Sequence, residues 1–195
     1  MKTDFGPKTT GLPTPIVVIG SYDDKDRPNA MTAAWAGICA SVPPCIMVCI
    51  NENHQTAANI RHSNEFTVHV PGSDQVAATD YYGIASGKRE DKIASAGHTI
   101  SPATHVHAPI INEFPIVMEC RVYSRLQIGP GMVLIGEIIN LAVDKTCLKP
   151  TENGQETIDF AKIAPFAFNQ ADRTYNAIAA PIAGAWNAGL SLKKS

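Results

Sequence analysis

From Ile16 to Val143, apolar residues recur at every second position or run unbroken for the length of a strand, and both spacings predict β structure. Ile16 to Tyr22 is rich in β-branched residues, and the polar run Asp23-Asp24-Lys25-Asp26-Arg27-Pro28 after it predicts a turn. The second arm of that hairpin is Asn29-Ala30-Met31-Thr32-Ala33-Ala34-Trp35-Ala36-Gly37, where Asn29, Thr32 and the nearby prolines favour extended backbone over helix. Pro43-Pro44 interrupts the chain before Ile46-Met47-Val48-Cys49-Ile50, a continuous apolar run that suits a strand buried on both faces. In Glu65-Phe66-Thr67-Val68-His69-Val70 the alternation sends Phe66, Val68 and Val70 to one face and Thr67 and His69 to the other. Ile116 to Ile128 and Met132 to Val143 flank Gly129-Pro130-Gly131 and predict a second hairpin. Six strands with few helical connections predict a mainly β fold, an antiparallel barrel with short flanking helices.

The helical signals are short. Thr56 is placed to cap a helix through His62, Ser73 or Asp74 to cap one ending at Tyr82, and Ser86 to cap a third from Lys88 to Ala96 before Gly97. Past Ala177 the chain is rich in alanine and glycine with Trp186 as its one large anchor, so this tail is expected to pack late or across a subunit boundary, within a homodimer.

Composition narrows the picture. With 195 residues, 45% hydrophobic and 17% charged, a single domain over residues 1–195 has enough apolar material for a sizeable core. A net charge of -2, with lysines scattered apart from Lys193-Lys194, gives no basic field for nucleic acid. Met1-Lys2-Thr3-Asp4 begins no apolar leader and no segment reaches the roughly 18 apolar residues of a membrane span, so a cytoplasmic protein without a membrane partner is expected. Cys39, Cys45, Cys49, Cys120 and Cys147 form an odd set without a CxxC pair, which favours buried reduced thiols over disulfides or a metal centre. His105 and His107 stand two apart, as strand-edge ligands or as an exposed loop pair, and no metal is assigned to them.

Candidate chemistry gathers at the helix starts. Lys88 and Lys92, four apart, share a face of the expected third helix, where like charges repel unless an anion or the adjacent Glu90 and Asp91 offset them. Ser86-Gly87 adds a hydroxyl and a close backbone approach at the positive end of that helix, which suits a phosphate. Thr56 and Asn59 offer a second helix start of the same kind, or an ordinary capping threonine. Neither GxxxxGK[ST] nor GxGxxG occurs, so triphosphate and Rossmann sites lack their fingerprints. Small side chains along this strand let a flat ring lie against the backbone, with Asn29 and Thr32 to bond its edge and Trp35 to border the pocket; alternatively Ala33 and Ala34 are simply core positions and Trp35 fills a barrel end.

Read together, PTPIVVIGSYD, RPNAMTAAWAGICASVPP, EFTVHVP, ATDYYGIASGKREDK and INEFPIVMEC resemble, in order and from Phe5 onward, the flavin reductase-like family and most closely its flavoredoxin branch. The resemblance implies a six-stranded split barrel that binds FMN at a homodimer interface, with NADH, NADPH or a redox protein as electron donor. By position it assigns flavin contacts to Asn29, Ala30, Met31, Thr32, Ala33, Ala34 and Trp35, then to Ser41 and Pro43, with Thr56 and Asn59 at the phosphate-side helix and Ser86, Gly87, Lys88, Asp91 and Lys92 in the SGKxxDK motif. Two stretches depart from the pattern: Asn51-Glu52-Asn53-His54 stands where relatives carry a basic residue, and Arg173-Thr174-Tyr175-Asn176-Ala177 where they carry glycines around an aromatic residue. The implied activities are FMN-dependent electron transfer, NAD(P)H-dependent reduction of flavin or ferric complexes, and flavin binding without turnover. No catalytic side chain is required, because the ring carries the electrons.

Overall fold

In the computed structural model, which describes residues 1–193, the alternating segments form one seven-stranded sheet. Its strands are β1 (Val17–Tyr22), β2 (Pro28–Ala33), β3 (Ala36–Ser41), β4 (Pro44–Asn51), β5 (Glu65–Val70), β6 (Ile116–Ile128) and β7 (Gly131–Val143). They lie in the order β2-β1-β5-β6-β7-β4-β3, every neighbouring pair antiparallel. The fold is thus mainly β, as the periodicity predicts. The count differs by one because the run expected as a single hairpin arm is two strands: β2 pairs with β1, β3 pairs with β4, and Ala34-Trp35 bends between them. Both halves have strand-forming residues, so the break comes from which partner each half pairs with, a tertiary matter that local propensity does not record.

β2 and β3 are the two edges of the sheet, yet two residues join them. The sheet therefore curls until its edges nearly meet, and the Trp35 carbonyl accepts a 2.8 Å hydrogen bond from Cys49 N of β4 at the crossing. Inside the curl Ile19, Met31, Ile46, Val48, Ile60, Phe66, Val68, Cys120 and Leu134 form the main core. Phe66 and Val68 face it as the alternation requires, whereas Thr67 and His69 on the other face are also fully buried. They are covered by the small hairpin Ile100–Pro102 and Pro109–Ile111: Thr67 Oγ1 donates to Pro109 O at 2.6 Å, and Ile111 N donates to His69 Nε2 at 3.0 Å. With its Nδ1 3.1 Å from Val18 O, His69 has a fixed neutral tautomer, and burial pushes its pKa down to about 4.

Helices α1 (Gln55–Ser63), α2 (Val76–Ile84), α3 (Lys92–Ser95) and α4 (Phe160–Ile163) flank the sheet. Their starts differ from expectation. Thr56 lies inside α1, buried, and His54 occupies the cap position without a side-chain bond. A 3-10 turn at Ser73–Gln75 precedes α2, which starts without a side-chain cap and continues past Gly83. Ser86 to Asp91 form turns, and α3 begins only at Lys92, with Asp91 Oδ1 accepting from Ile93 N and Ala94 N at 3.1 Å each. Asp91 is as good a cap as Ser86 and stands next to the first apolar pair, whereas Lys88-Arg89-Glu90 has no face to bury. Lys88 and Lys92 therefore do not share a helix face.

A second small sheet joins Thr14–Pro15 to the hairpin Phe166–Asn169 and Thr174–Ala177. Beyond it the tail leaves Ile178, Ile182, Trp186 and Leu192 exposed, and Lys194 of the terminal lysine pair lies outside the described residues. All five cysteines are free: Cys45, Cys120 and Cys147 are buried, but Cys39 is exposed, against the expectation of buried thiols. No helix among the described residues is long and apolar enough to cross a membrane.

Candidate functional site

Two separate sets of side-chain hydrogen bonds fasten α1 to β1 and β2. Asn29 Nδ2 donates to Thr56 Oγ1 at 2.8 Å, Asn59 Nδ2 to Ser21 Oγ at 3.0 Å, and Gln55 Nε2 to Asn59 Oδ1 at 2.7 Å. On the other side Thr32 Oγ1 donates to the Thr79 carbonyl and ties β2 to α2. The loop from Ala85 to Asp91 then folds over Asn29 so closely that a Cβ on Gly87 would lie 2.0 Å from Asn29 Oδ1. Only glycine allows that approach.

Three cavities adjoin along this seam. The first, about 260 Å³, is lined by Asn29, Met31, His54, Thr56, Ser86, Gly87, Lys88 and Lys92. The second, about 430 Å³, shares Asn29, Gly87 and Lys88 with it and adds Asn59, Arg27, Asp23 and Asp91. The third, about 280 Å³, shares Met31 and His54 with the first and runs along Thr32, Ala33, Ala34 and Trp35 to Phe168 and Gln170. Trp35 is 48% exposed, so it borders this crevice and does not plug a barrel end.

Three expected contacts lie elsewhere. Ala30 is fully buried against Val18 and Tyr82 on the far side of β2, as the strand's alternation dictates. Ser41 and Pro43 sit at the far end of β3 and in the turn to β4, outside all three cavities. In return the crevice includes His54, Gln55, Phe168 and Gln170, which the sequence reading did not select. Phe168 and Gln170 come from a hairpin more than a hundred residues beyond β2, so no local pattern connects them. His54 stands in one of the two divergent stretches and could have been found there. Residues of the other, Arg173 and Tyr175, line an adjoining cavity of about 560 Å³ with Phe168 and Gln170, where Tyr175 Oη donates to Asp80 Oδ1 at 2.7 Å. His107 Nε2 lies 2.8 Å from Asp26 Oδ1, neither residue lining the three cavities, and the described residues contain no metal-binding group of three or more His, Cys, Asp or Glu.

Charge is the distinctive property of the first cavity. Lys92 is only 4% exposed, not the solvent-facing lysine its surroundings in sequence suggest, and its Nζ donates at 2.9 Å to the carbonyl of Tyr82 in the last turn of α2. It thus satisfies one of the carbonyls a helix end leaves open and opposes the negative end of the helix dipole. Burial pushes its pKa down to about 8, with Glu90 pulling the other way. His54 is likewise held below the ordinary histidine value, first by burial and then by the ammonium groups of Lys92 and Lys88. Among the described residues no carboxylate lines this cavity, which two lysines border. The donor set fits a phosphate, and the third cavity, walled by Ala33 and Ala34 beside Trp35, fits a flat ring.

The depressed Lys92 pKa has a direct consequence for the ligand-free protein. Below about pH 8 the cost of its buried charge is present in full; between about 8 and 10.5 the unfolded chain still holds a proton that the folded one has lost, so stability rises with pH. Urea unfolding should show the wild type gaining on the order of 3 kcal/mol over this window relative to Lys92→Met, which has no such proton.

Comparison with known proteins agrees with this geometry. A family model described as flavin reductase like domain matches residues 9–159. The flavoredoxin of Desulfovibrio vulgaris (Miyazaki F) is 39% identical and superposes with a TM-score of 0.89 over 97% of this chain and 100% of its own. Flavoredoxin from Methanosarcina acetivorans is 27% identical, with a TM-score of 0.89 over 99% and 100% of the two chains. FMN reductase (NADH) from Ancylobacter novellus is 24% identical over 120 residues, 60% of this chain and 64% of that protein, so the match spans less than two thirds of this curated relative. The curled seven-stranded sheet, its edges joined through Trp35, is the split barrel of these relatives, and the chain belongs to the flavin reductase like domain family.

Proposed function

We propose that the protein binds FMN along the crevice, phosphate toward Lys88 and Lys92 and ring along Ala33, Ala34 and Trp35, and works as an oxidoreductase that passes electrons to an acceptor. The observation that carries this reading is the cavity bordered by two lysines and, among the described residues, by no carboxylate, opening past Met31 and His54 into a flat, small-walled one. When bound, the flavin supplies the site's electron chemistry. Lys92 and Lys88 hold the phosphate, Gly87 lets backbone close over Asn29, and Trp35 with Phe168 covers the ring end from water.

Full-length agreement with two flavoredoxins supports a carrier-like role fed by another redox protein. A specific observation favours the second reading, a reductase fed by NADH or NADPH: the 560 Å³ cavity beside Phe168 and Gln170 leaves room for a second ligand next to the ring, with the Arg173 side chain at its wall. A second copy of the chain is the partner we propose for the exposed Ile38 and Val42 of the β3 edge and its turn and for Tyr123, Leu126 and Ile128 of the protruding hairpin. Five free thiols accord with a cytoplasmic location.

Lys92→Ala should weaken FMN binding roughly ten- to hundredfold, the equivalent of one charge-assisted hydrogen bond, while riboflavin, which lacks the phosphate, binds as before. Lys88→Ala should cost less, because that side chain is exposed. Fluorescence titration of the apoprotein with both flavins checks this, and equal losses for the two would remove the phosphate from this cavity. Anaerobic addition of NADH or NADPH should bleach the flavin band within seconds if the reductase reading holds; a band that stays unchanged leaves the carrier. Sedimentation of the loaded protein at micromolar concentration should give a dimer, and a monomer would exclude the proposed pairing of copies.

A further inference from the structure

A ligand with a phosphate at one end and a ring at the other has to pass from the first cavity into the third, and the residues that line both are Met31 and His54. His54 stands at the cap position of α1 with no side-chain bond to that helix. Its ring instead turns to the seam, where Nδ1 lies 2.9 Å from Met31 Sδ. A thioether is a weak acceptor, so this contact leaves the imidazole without a strong partner.

The charged groups around His54 can be taken element by element. The loop before α3 presents Lys88 and α3 presents Lys92, the two cations that act on it. Behind them the carboxylate of Glu90 accepts from Tyr81 Oη at 2.6 Å, and Asp91 is engaged as the cap of α3. On the near side Glu52 pairs with Arg61, and beyond Gln170 Asp80 is held by Tyr175. Asp23 in the second cavity pairs with Arg27, so among the described residues each of these carboxylates has its own partner, and His54 at the waist of the crevice is flanked by positive charge. A phosphate that offsets the two lysines removes their share of the obstacle to charging His54, while the share set by burial stays.

We propose that His54 is a proton-accepting residue of the site, taking up a proton as the bound flavin is reduced. The inference rests on the FMN reading. A two-electron reductant such as dithionite delivers two electrons, and one proton from water accompanies them to the ring; this leaves one added negative charge in the crevice. A second proton from water, bound at the His54 imidazole, restores the balance. The sum is two electrons and two protons, with no group transferred to the protein other than that proton.

The test is a potentiometric titration of FMN-loaded wild type and His54→Gln from about pH 6 to about pH 8.5, alongside NMR titration of labelled histidine rings in oxidised and dithionite-reduced protein. On reduction the His54 midpoint should rise by at least one pH unit, a tenfold gain in proton affinity. The wild-type potential should fall by two tenfold steps per pH unit, about 59 mV, up to a higher pH than in His54→Gln, which should drop earlier to one step, about 30 mV. A His54 midpoint that is the same in both redox states, or a variant that follows the wild-type slope, overturns the inference. Protein that takes up no FMN overturns this and the flavin reading together, whereas loaded protein with unchanged slopes overturns this one alone.

Discussion

Two residues of chain, Ala34 and Trp35, join the opposite edges of a seven-stranded sheet, and that short tether constrains everything else. Three Cα–Cα steps reach no further than roughly 11 Å, so the end of β2 and the start of β3 must lie close together and the sheet must curl around its core to let them. A seam follows from the same geometry, because β2 and β3 each keep one side unpaired by the other. The residues along it are small or polar, and the crevice runs between this edge and the loops at the start of α1 and the end of α2.

What keeps that seam from collapsing is polar, not apolar. Asn29, Thr56, Asn59, Gln55 and Ser21 are linked by side-chain bonds between 2.7 and 3.0 Å, so α1 is held at a set distance from β1 and β2. Buried amides cost free energy unless paired, and here each is paired. Because hydrogen bonds are directional, such a network specifies the spacing of its elements more narrowly than apolar contacts, which accommodate sliding.

Most strands were legible because their alternation is a local property: β1, β5 and the β6–β7 hairpin fall within a residue or two of the periodic segments. The break at Ala34 was not, since it depends on partners distant in sequence. Lys88 and Lys92 illustrate a different outcome. Their joint exposure to one cavity is seen, but the reason is the fold of the loop over Asn29 and the burial of Lys92 under α2, not a shared helix face. A four-residue spacing is a weak indicator of a helix when a better cap stands between the two residues, as Asp91 does here. Ser41 and Pro43 were assigned by family position alone, with no physical signal of their own, and within one chain they lie apart from the crevice. The hairpin carrying Phe168 and Gln170 had no legible link to β2, because its pairing with Thr14–Pro15 and the Tyr175–Asp80 bond, both distant in sequence, bring it there.

Lys92 does two jobs with one ammonium group: it faces the anion-sized cavity and it closes the carbonyl end of α2 through Tyr82. Selection on the two jobs is therefore entangled. The lysine closes the helix end whether or not anything fills the cavity, so its presence alone does not report on use of the cavity. Among descendants of this barrel, then, Gly87 is the more informative marker of use. Its missing side chain matters for how near the backbone comes to Asn29 and to whatever lies beneath, and drift would erase it first wherever that closeness stopped mattering.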